Sequence, residues 1–560
     1  MTDGDPGGVV RPAALRFLHR LLDPGSRRSW DGPVAEESGP PGYAEQLAAA
    51  RRRSGADESV LTGEGRLAGR RLAFAVGEFA FLGGSVGQEA TRRLVAAIRR
   101  ATREGLPLFA APASGGTRMQ EGTAAFVGMA AVAAALTEHR AAHLPYLVHL
   151  RHPCTGGVLA SWGSLGQVTT AEPGALIGFL GPRVHEALHG EPFPAGVQRA
   201  ENLHRVGIVD AVLSPDLLRD RLARTLALLA SPGPHRLTGR PPDRDRPTGR
   251  PSVLDRPAGR PPDPLPPTDR PPAPDSPTDH RPDPDRTTDR SPNPDPPTDH
   301  PPTPDPPTDR SPHSVTRHRG HGSAGPEARR APAPAAVPGD PWESVLRTRA
   351  ASWPSVRDLL ASAAEFVELH GTGEGERDDA VVLGLARFAD RSCVVTGHDR
   401  RAPRPVGPAG LRTARRGVRL AAEWRLPLLT VVDTAGAELS PSAEEGALAG
   451  EIARCLADLS ALRVPRVGLL LGQGAGGAAL ALFAADRVVA AEHAWLAPLP
   501  PEGASAVVHR DTAHAARIAA DQGITAPELH RRGLVHRLVP DGADLAARLA
   551  EAVAEELRGL

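Results

Sequence analysis

Residues 152–160 read His-Pro-Cys-Thr-Gly-Gly-Val-Leu-Ala, and residues 472–479 read Gly-Gln-Gly-Ala-Gly-Gly-Ala-Ala. Each follows an apolar stretch, Tyr146-Leu-Val-His-Leu150 in the first case and Val467-Gly-Leu-Leu-Leu471 in the second. Each therefore reads as a strand that runs into small residues opening a helix. The paired glycines Gly156-Gly157 and Gly476-Gly477 lie 320 residues apart. The same spacing relates Pro107-Leu-Phe-Ala to Pro427-Leu-Leu-Thr, Ser114-Gly115-Gly116 to Thr434-Ala435-Gly436, Pro145 to Pro465, and Ala171-Glu172 to Ala491-Glu492. One register held from Pro107 to Glu172 means that the chain carries two copies of one domain. After a small insertion, Gly207-Ile-Val also meets Gly533-Leu-Val.

Working outward, Leu72–Val76, Pro107–Ala110, Tyr146–Leu150 and Leu176–Phe179 read as short buried strands in the first copy. Gly122 to Glu138 and Gly157 to Gln167 carry the 3–4 spacing of helices. In the second copy Leu428–Val432 and Val467–Leu471 read as strands, and Glu445 to Leu462 as one periodic helix. Alternating strand and helix gives the α/β class. Residues 1–235 form the first domain and 339–560 the second. Between them, 236–338 repeat every ten residues, closing at Arg250, Arg260, Arg270, His280, Arg290, His300 and Arg310. That stretch is rich in Pro, Asp, Arg and Thr and poor in large apolar residues. It cannot bury enough surface to offset its chain entropy and is expected to be a disordered, Pro-stiffened linker.

The 560 residues carry 66 basic and 66 acidic side chains, a balance that offers no pull toward nucleic acid. Lysine is absent, so every one of those cations is arginine. Schiff-base chemistry, a P-loop lysine and a biotinyl-lysine on this chain are excluded. Three scattered cysteines, Cys154, Cys393 and Cys455, make neither a disulfide framework nor a zinc ribbon. The amino-terminal residues lack a signal-peptide core, and charge interrupts every long apolar run. No membrane span, no metal and a cytoplasmic location are expected.

The backbone N–H groups of such glycine turns bind developing negative charge, and glycine lets an oxygen approach closely. A tight turn with close packing accounts for the same residues. Two equivalent copies favour the functional reading. Upstream loops Ser114-Gly115-Gly116-Thr-Arg118 and Asp433-Thr-Ala-Gly436, and the loop Phe81-Leu-Gly83-Gly84-Ser85, are further candidates for contact with a ligand. Cys154 beside the first turn reads as a small packed side chain rather than a nucleophile.

Thr62 to Asp210 resembles the β subunit of bacterial acetyl-CoA carboxylase carboxyltransferase. The resemblance rests on Phe81-Leu-Gly-Gly-Ser-Val-Gly87, Ala113-Ser-Gly-Gly-Thr-Arg-Met-Gln-Glu121, Thr155-Gly-Gly157, Ala171-Glu-Pro-Gly-Ala-Leu-Ile-Gly178 and Gln198-Arg-Ala-Glu201. Phe366 to Val535 resembles its α subunit through Asp378-Asp-Ala380, Gly397-His398, Asp433-Thr434, Ala443-Glu-Glu445, Val464-Pro465 and Pro501-Glu-Gly-Ala-Ser505. The order suggests two subunits fused head to tail.

The resemblance implies two crotonase-like domains, spirals of ββα units. It also implies transfer of a carboxyl group from carboxybiotin on a carrier protein to acetyl-CoA, giving malonyl-CoA for fatty acid synthesis. Two oxygens gain charge, the thioester oxygen and the biotin ureido oxygen, and two oxyanion holes serve them without a side-chain base. Gly156 and Gly157 supply one; Gly476, Gly477 and Ala478 supply the other. Substrate contacts are implied for Phe81, Gly83, Gly84, Ser85, Ser114, Gly115, Gly116, Arg118, Gly178, Gly436, Pro501, Glu502 and Gly503. The partners implied are an acyl-CoA, a biotin carboxylase, a biotin carboxyl carrier protein and at least one more copy of this chain. Biotin is the cofactor, carried elsewhere. Propionyl-CoA carboxylation, malonyl-thioester decarboxylation and a degenerate paralogue are alternatives. Ala435, Gln473 and Ala478 depart from the family pattern, and the four-cysteine ribbon usual in its β subunit is not found.

Overall fold

The computed structural model describes residues 12–34, 39–230 and 340–560. The linker expected over 236–338 lies outside them.

Runs buried on both faces give each half an antiparallel hairpin followed by parallel strands. In the first half Val60–Leu67 pairs with Arg70–Gly77, and Leu108–Ala111, Tyr146–Leu150, Val168–Ala171 and Ala211–Val212 follow in parallel. In the second, Glu365–Leu369, Val381–Phe388 and Arg391–His398 run antiparallel. Leu428–Thr434, Arg466–Ala475, Arg487–Ala491 and Arg537–Val539 then run parallel to one another. Parallel strands need crossovers. Helices Gln88–Arg103 and Gly122–Ala141 supply two of them in the first half, and Pro408–Trp424 and Leu448–Ala461 in the second. This is the ββα repeat expected, present twice.

Two elements differ from expectation, and a third differs between the copies. The helix expected over 157–167 is Gly156–Val158 running into a wider turn, Leu159–Gly163, where Ser161 leaves helical geometry (φ −141°, ψ −105°). The helix expected over 445–462 is two, Pro441–Glu445 and Leu448–Ala461, broken where Ala447 takes φ +63°. The break turns the carboxylates of Glu444 and Glu445 toward the first half. The first half's counterpart of Arg466–Ala475 is split into Tyr146–Leu150 and Cys154–Thr155 around Pro153, which has no N–H to donate to a ladder.

The two halves share one core. Phe126, Met129, Val132 and Ala133 from Gly122–Ala141 pack in the same cluster as Ile452, Ala453 and Leu456 from Leu448–Ala461. Each fully buried side chain of this size adds about 1.5–3 kcal/mol. Met119–Ala141 is long and apolar enough to cross a membrane. Here its apolar residues are spent on contact between the halves.

Candidate active site

Both glycine pairs turn at a positive φ, +65° at Gly156 and +67° at Gly476, the left-handed region that glycine enters at no steric cost. The turn delivers both pairs into a single cavity of about 190 Å³, walled by Gly115, Gly156, Gly157, Gly436, Gly476 and Gly477. Thr117, Met119, Phe126, Phe179, Leu180, Val184, Leu439, Leu499 and Val507 give it a largely apolar surface. One chain therefore brings its two repeats together at one place.

The N–H of Gly156 is already given to the carbonyl of Phe179 at 3.0 Å. Gly156 thus shapes the turn, and the N–H left over for a ligand is that of Gly157. The second turn follows the ladder pair Ala475–Ala497, and Gly477 stands where the first turn has Gly157. The two turns face each other across Phe179, whose ring lies 3.0 Å from where a Cβ on Gly477 would stand.

The supporting loops repeat as well. Ser114 Oγ accepts the N–H of Gly116 at 3.0 Å, and Thr434 Oγ1 accepts that of Gly436 at 3.1 Å. A short parallel bridge joins Val86 to Thr117 in one half and Val406 to Ala437 in the other. Gly115 N–H is held by Gly83 O at 2.8 Å. These loops spend their own N–H groups on holding the walls in place.

Polar anchors tie the halves beside the cavity. The buried carboxylate of Glu444 accepts the N–H of Phe179 at 2.8 Å and the side-chain N–H of Gln198 at 2.7 Å. Burial raises its pKa against those hydrogen bonds. Asn202 Nδ2 donates to Glu445 at 2.9 Å, and Thr123 Oγ1 donates to the Leu496 carbonyl at 2.8 Å.

Several expected contacts fall elsewhere. Arg118 is fully buried, paired with Glu58 and with Glu121 (3.3 Å), and donates to the Ser85 carbonyl at 2.8 Å. It locks the 81–87 loop from behind and does not line the cavity. Phe81, also fully buried, packs with Tyr43, Leu47 and Ala50 and does not line the cavity either. Gly84 abuts Ala113, and Gly178 abuts the Gln198 side chain. Gly83, Ser85, Ser114 and Gly116 form the loops behind the wall. Ala478 is buried in the helix after the turn. Glu502 is paired with Arg349 at 2.6 Å, and the wall is made by Pro498, Leu499 and Pro500 rather than Pro501 or Gly503. Cys154 is buried, and burial pushes its thiol up, away from reactivity. The apolar wall residues were missed because they are ordinary core types. Phe179, next to Gly178 and close to the first turn, was the one with a positional signal.

Two repeated α/β halves whose glycine turns open into one apolar cavity make the layout of an acyl-CoA carboxyltransferase. Residues 37–257 match the carboxyl transferase domain, and residues 339–560 match the acetyl co-enzyme A carboxylase carboxyltransferase-like family. The chain is 47% identical over 97% of its length, and 94% of the relative's, to the "probable biotin-dependent acyl-coenzyme A carboxylase beta3 subunit" of Mycobacterium tuberculosis. It is 34% identical over 99% of its length to the acetyl-coenzyme A carboxylase carboxyl transferase subunits beta/alpha of Salinispora arenicola, covering 86% of that protein. It also overlays on transcarboxylase 12S at 18% identity and a TM-score of 0.34, covering 98% of this chain and 89% of that one, a likeness too slight to argue from. The chain belongs to the biotin-dependent acyl-CoA carboxyltransferases, with a β-like half preceding an α-like half in one polypeptide.

Proposed function

We propose that this enzyme moves a carboxyl group from carboxybiotin on a separate carrier protein to a short acyl-CoA, acetyl-CoA first and propionyl-CoA next, in the cytoplasm. The supporting observation is the single cavity of about 190 Å³ into which both glycine turns open. Its size suits a short acyl group, and its apolar wall excludes water, which strengthens every dipole inside.

In this reading the Gly157 N–H holds the thioester oxygen of the acyl-CoA as it gains charge. Gly476 and Gly477 hold the ureido oxygen of biotin in the same way. Backbone donors in a dry, shaped cavity fit a neutral ureido group, and biotin when bound supplies the transferable carboxyl. Glu444 fixes Phe179 between the turns, and so keeps the two oxygens within reach of one another. With no lysine in the chain, biotin and its ATP-dependent loading belong to a carrier and a biotin carboxylase. At least a dimer of this chain is expected to receive them, with the acyl-CoA on the first half and biotin on the second.

Carboxyl transfer is tested with purified carrier and biotin carboxylase, radiolabelled bicarbonate and a panel of acyl-CoAs. Label should enter acetyl- and propionyl-CoA. No label in any acyl-CoA, or release of CO2 from malonyl-CoA without carrier, would overturn the reading.

A further inference from the structure

Beside the cavity of the two turns lies a second one, of about 740 Å³, in the second half alone. The two share the wall Ala435–Ala437, Leu439 and Pro500. Its depth holds two polar side chains for which the account so far has no use. His398 is 1% exposed, and neither ring nitrogen has a hydrogen-bond partner. Asp433 is 0% exposed; its Oδ1 accepts the Gln473 N–H at 3.0 Å, while its Oδ2 makes no hydrogen bond.

The first half shows what has changed. The N–H of Glu78 bonds the carbonyl of Ser59, and the N–H of Asp399 bonds that of Ala380, so the hairpin ends correspond and His398 stands where the first half has Gly77. Asp433 stands where it has Ala113. There a Cβ on Gly77 would come within 2.7 Å of the Ala113 nitrogen, and the backbones close on each other. The second half has put an imidazole and a carboxyl at those two positions and has a cavity there.

Leaving buried polar atoms without partners costs about 1–3 kcal/mol each, so the occupant should satisfy them. A cation is disfavoured. Arg400 Nε already stands 3.7 Å from Asp433 Oδ2, and among the described residues His398 and Asp433 belong to no group of three metal-ligating side chains. An anion is disfavoured by Asp433 itself. A neutral group with one donor and one acceptor matches Asp433 Oδ2 and one of the two ring nitrogens. Burial lowers the His398 pKa to about 4 and raises that of Asp433 to about 7, which keeps the imidazole neutral at ordinary pH.

We propose that this cavity is a subsite for a secondary amide on a flexible arm, whose N–H is donated to Asp433 Oδ2 and whose carbonyl accepts the N–H of His398. The assignment rests on the carboxyltransferase reading above, which supplies two such arms, the biotinyl-lysine amide of the carrier and the pantetheine of CoA.

The test reads binding to the full chain by calorimetry, with amide and ester isosteres that differ in the donor N–H. One pair is biotin N-methylamide against biotin methyl ester; the other is S-acetyl-N-acetylcysteamine against its acetate-ester analogue. In one pair the amide should bind about tenfold tighter, as the net gain of one hydrogen bond allows. Asp433→Asn keeps an acceptor for the Gln473 N–H and presents an amide donor where Oδ2 stood, so it should abolish or reverse that preference. His398→Phe should weaken amide and ester alike. Preference in the biotin pair assigns the carrier's arm, and preference in the thioester pair assigns that of CoA. No amide preference in either pair, or a preference unchanged in a melting-competent Asp433→Asn, would overturn the subsite. Because no turnover is read, a chain that binds amides yet transfers no carboxyl would sink the function and keep the subsite.

Discussion

The two halves repeat one design and differ where they meet a ligand. In the first, the loop after the hairpin is closed: Gly77 touches the Ala113 backbone, the Gly156 N–H is spent on Phe179, and Arg118 is locked between Glu58 and Glu121. In the second, His398 and Asp433 stand at the corresponding places beside a wider cavity. Duplication supplied the scaffold; small changes at equivalent positions closed the hairpin end in one copy and left a wider cavity there in the other.

The comparison breaks most visibly at the turns. Valine at Gly157 would drive its Cβ to 2.7 Å from Thr117 Oγ1, and at Gly477 to 3.0 Å from the Phe179 ring and Ile452. Each should lower carboxyl transfer by about 10²–10³-fold, the usual cost of one oxyanion donor. Melting curves run beside the assay separate a blocked oxygen position from loss of the fold. Full activity in both variants would remove the two-hole assignment.

The anchors between the halves come next. Glu444→Ala strands the N–H of Phe179 and leaves the Gln198 amide only its bond to the Leu180 carbonyl, and should destabilise by about 1–3 kcal/mol for the buried donor left unpaired. Thr123→Val removes one neutral hydrogen bond, to the Leu496 carbonyl, and should cost about 0.5–1.5 kcal/mol. Denaturant titration ranks them; equal losses would mean that the charged anchor is no stronger than the neutral one.

Asp433 gives a pH signature that Ala113 cannot. Unfolded, it titrates at its ordinary 3.8; folded, burial raises it to about 7. Between those values the unfolded chain has released the proton that the folded chain keeps, so the group favours folding below 3.8 and loses that favour as pH rises to about 7. The melting temperature of the wild type relative to Asp433→Asn should therefore fall from pH 4 to pH 7 and level off above. A difference independent of pH would contradict the burial.

The smallest effect is expected at Cys154. Alanine there should leave turnover unchanged, with a modest loss of melting temperature. Loss of transfer with an intact fold would make the thiol a participant.

The repeat, the α/β class and the glycine turns were legible because they depend on local signals: small residues at strand ends, a fixed offset, apolar periodicity. The break at Ala447 was not, because Glu445 to Leu462 keeps helical spacing while tertiary contacts of Glu444 and Glu445 decide where the helix starts again. Arg118 and Phe81 looked like ligand contacts because they sit in a glycine-rich motif. Their burial depends on Glu58 and Tyr43, distant in sequence. The cavity wall was illegible for a similar reason, since Met119, Leu180 and Val507 look like any core residue until two halves meet.

That meeting is the central claim: the turns of one chain's two halves build one site. Co-expression of Gly157→Val and Gly477→Val chains, purified together and assayed for transfer of labelled carboxylate to acetyl-CoA beside the wild type, tests it directly. If each site is built within one chain, every site in the mixture carries one damaged turn, and the mixture should be as inactive as either variant alone. Recovery of a substantial share of wild-type transfer would show that undamaged turns from different chains had combined, and would contradict the account.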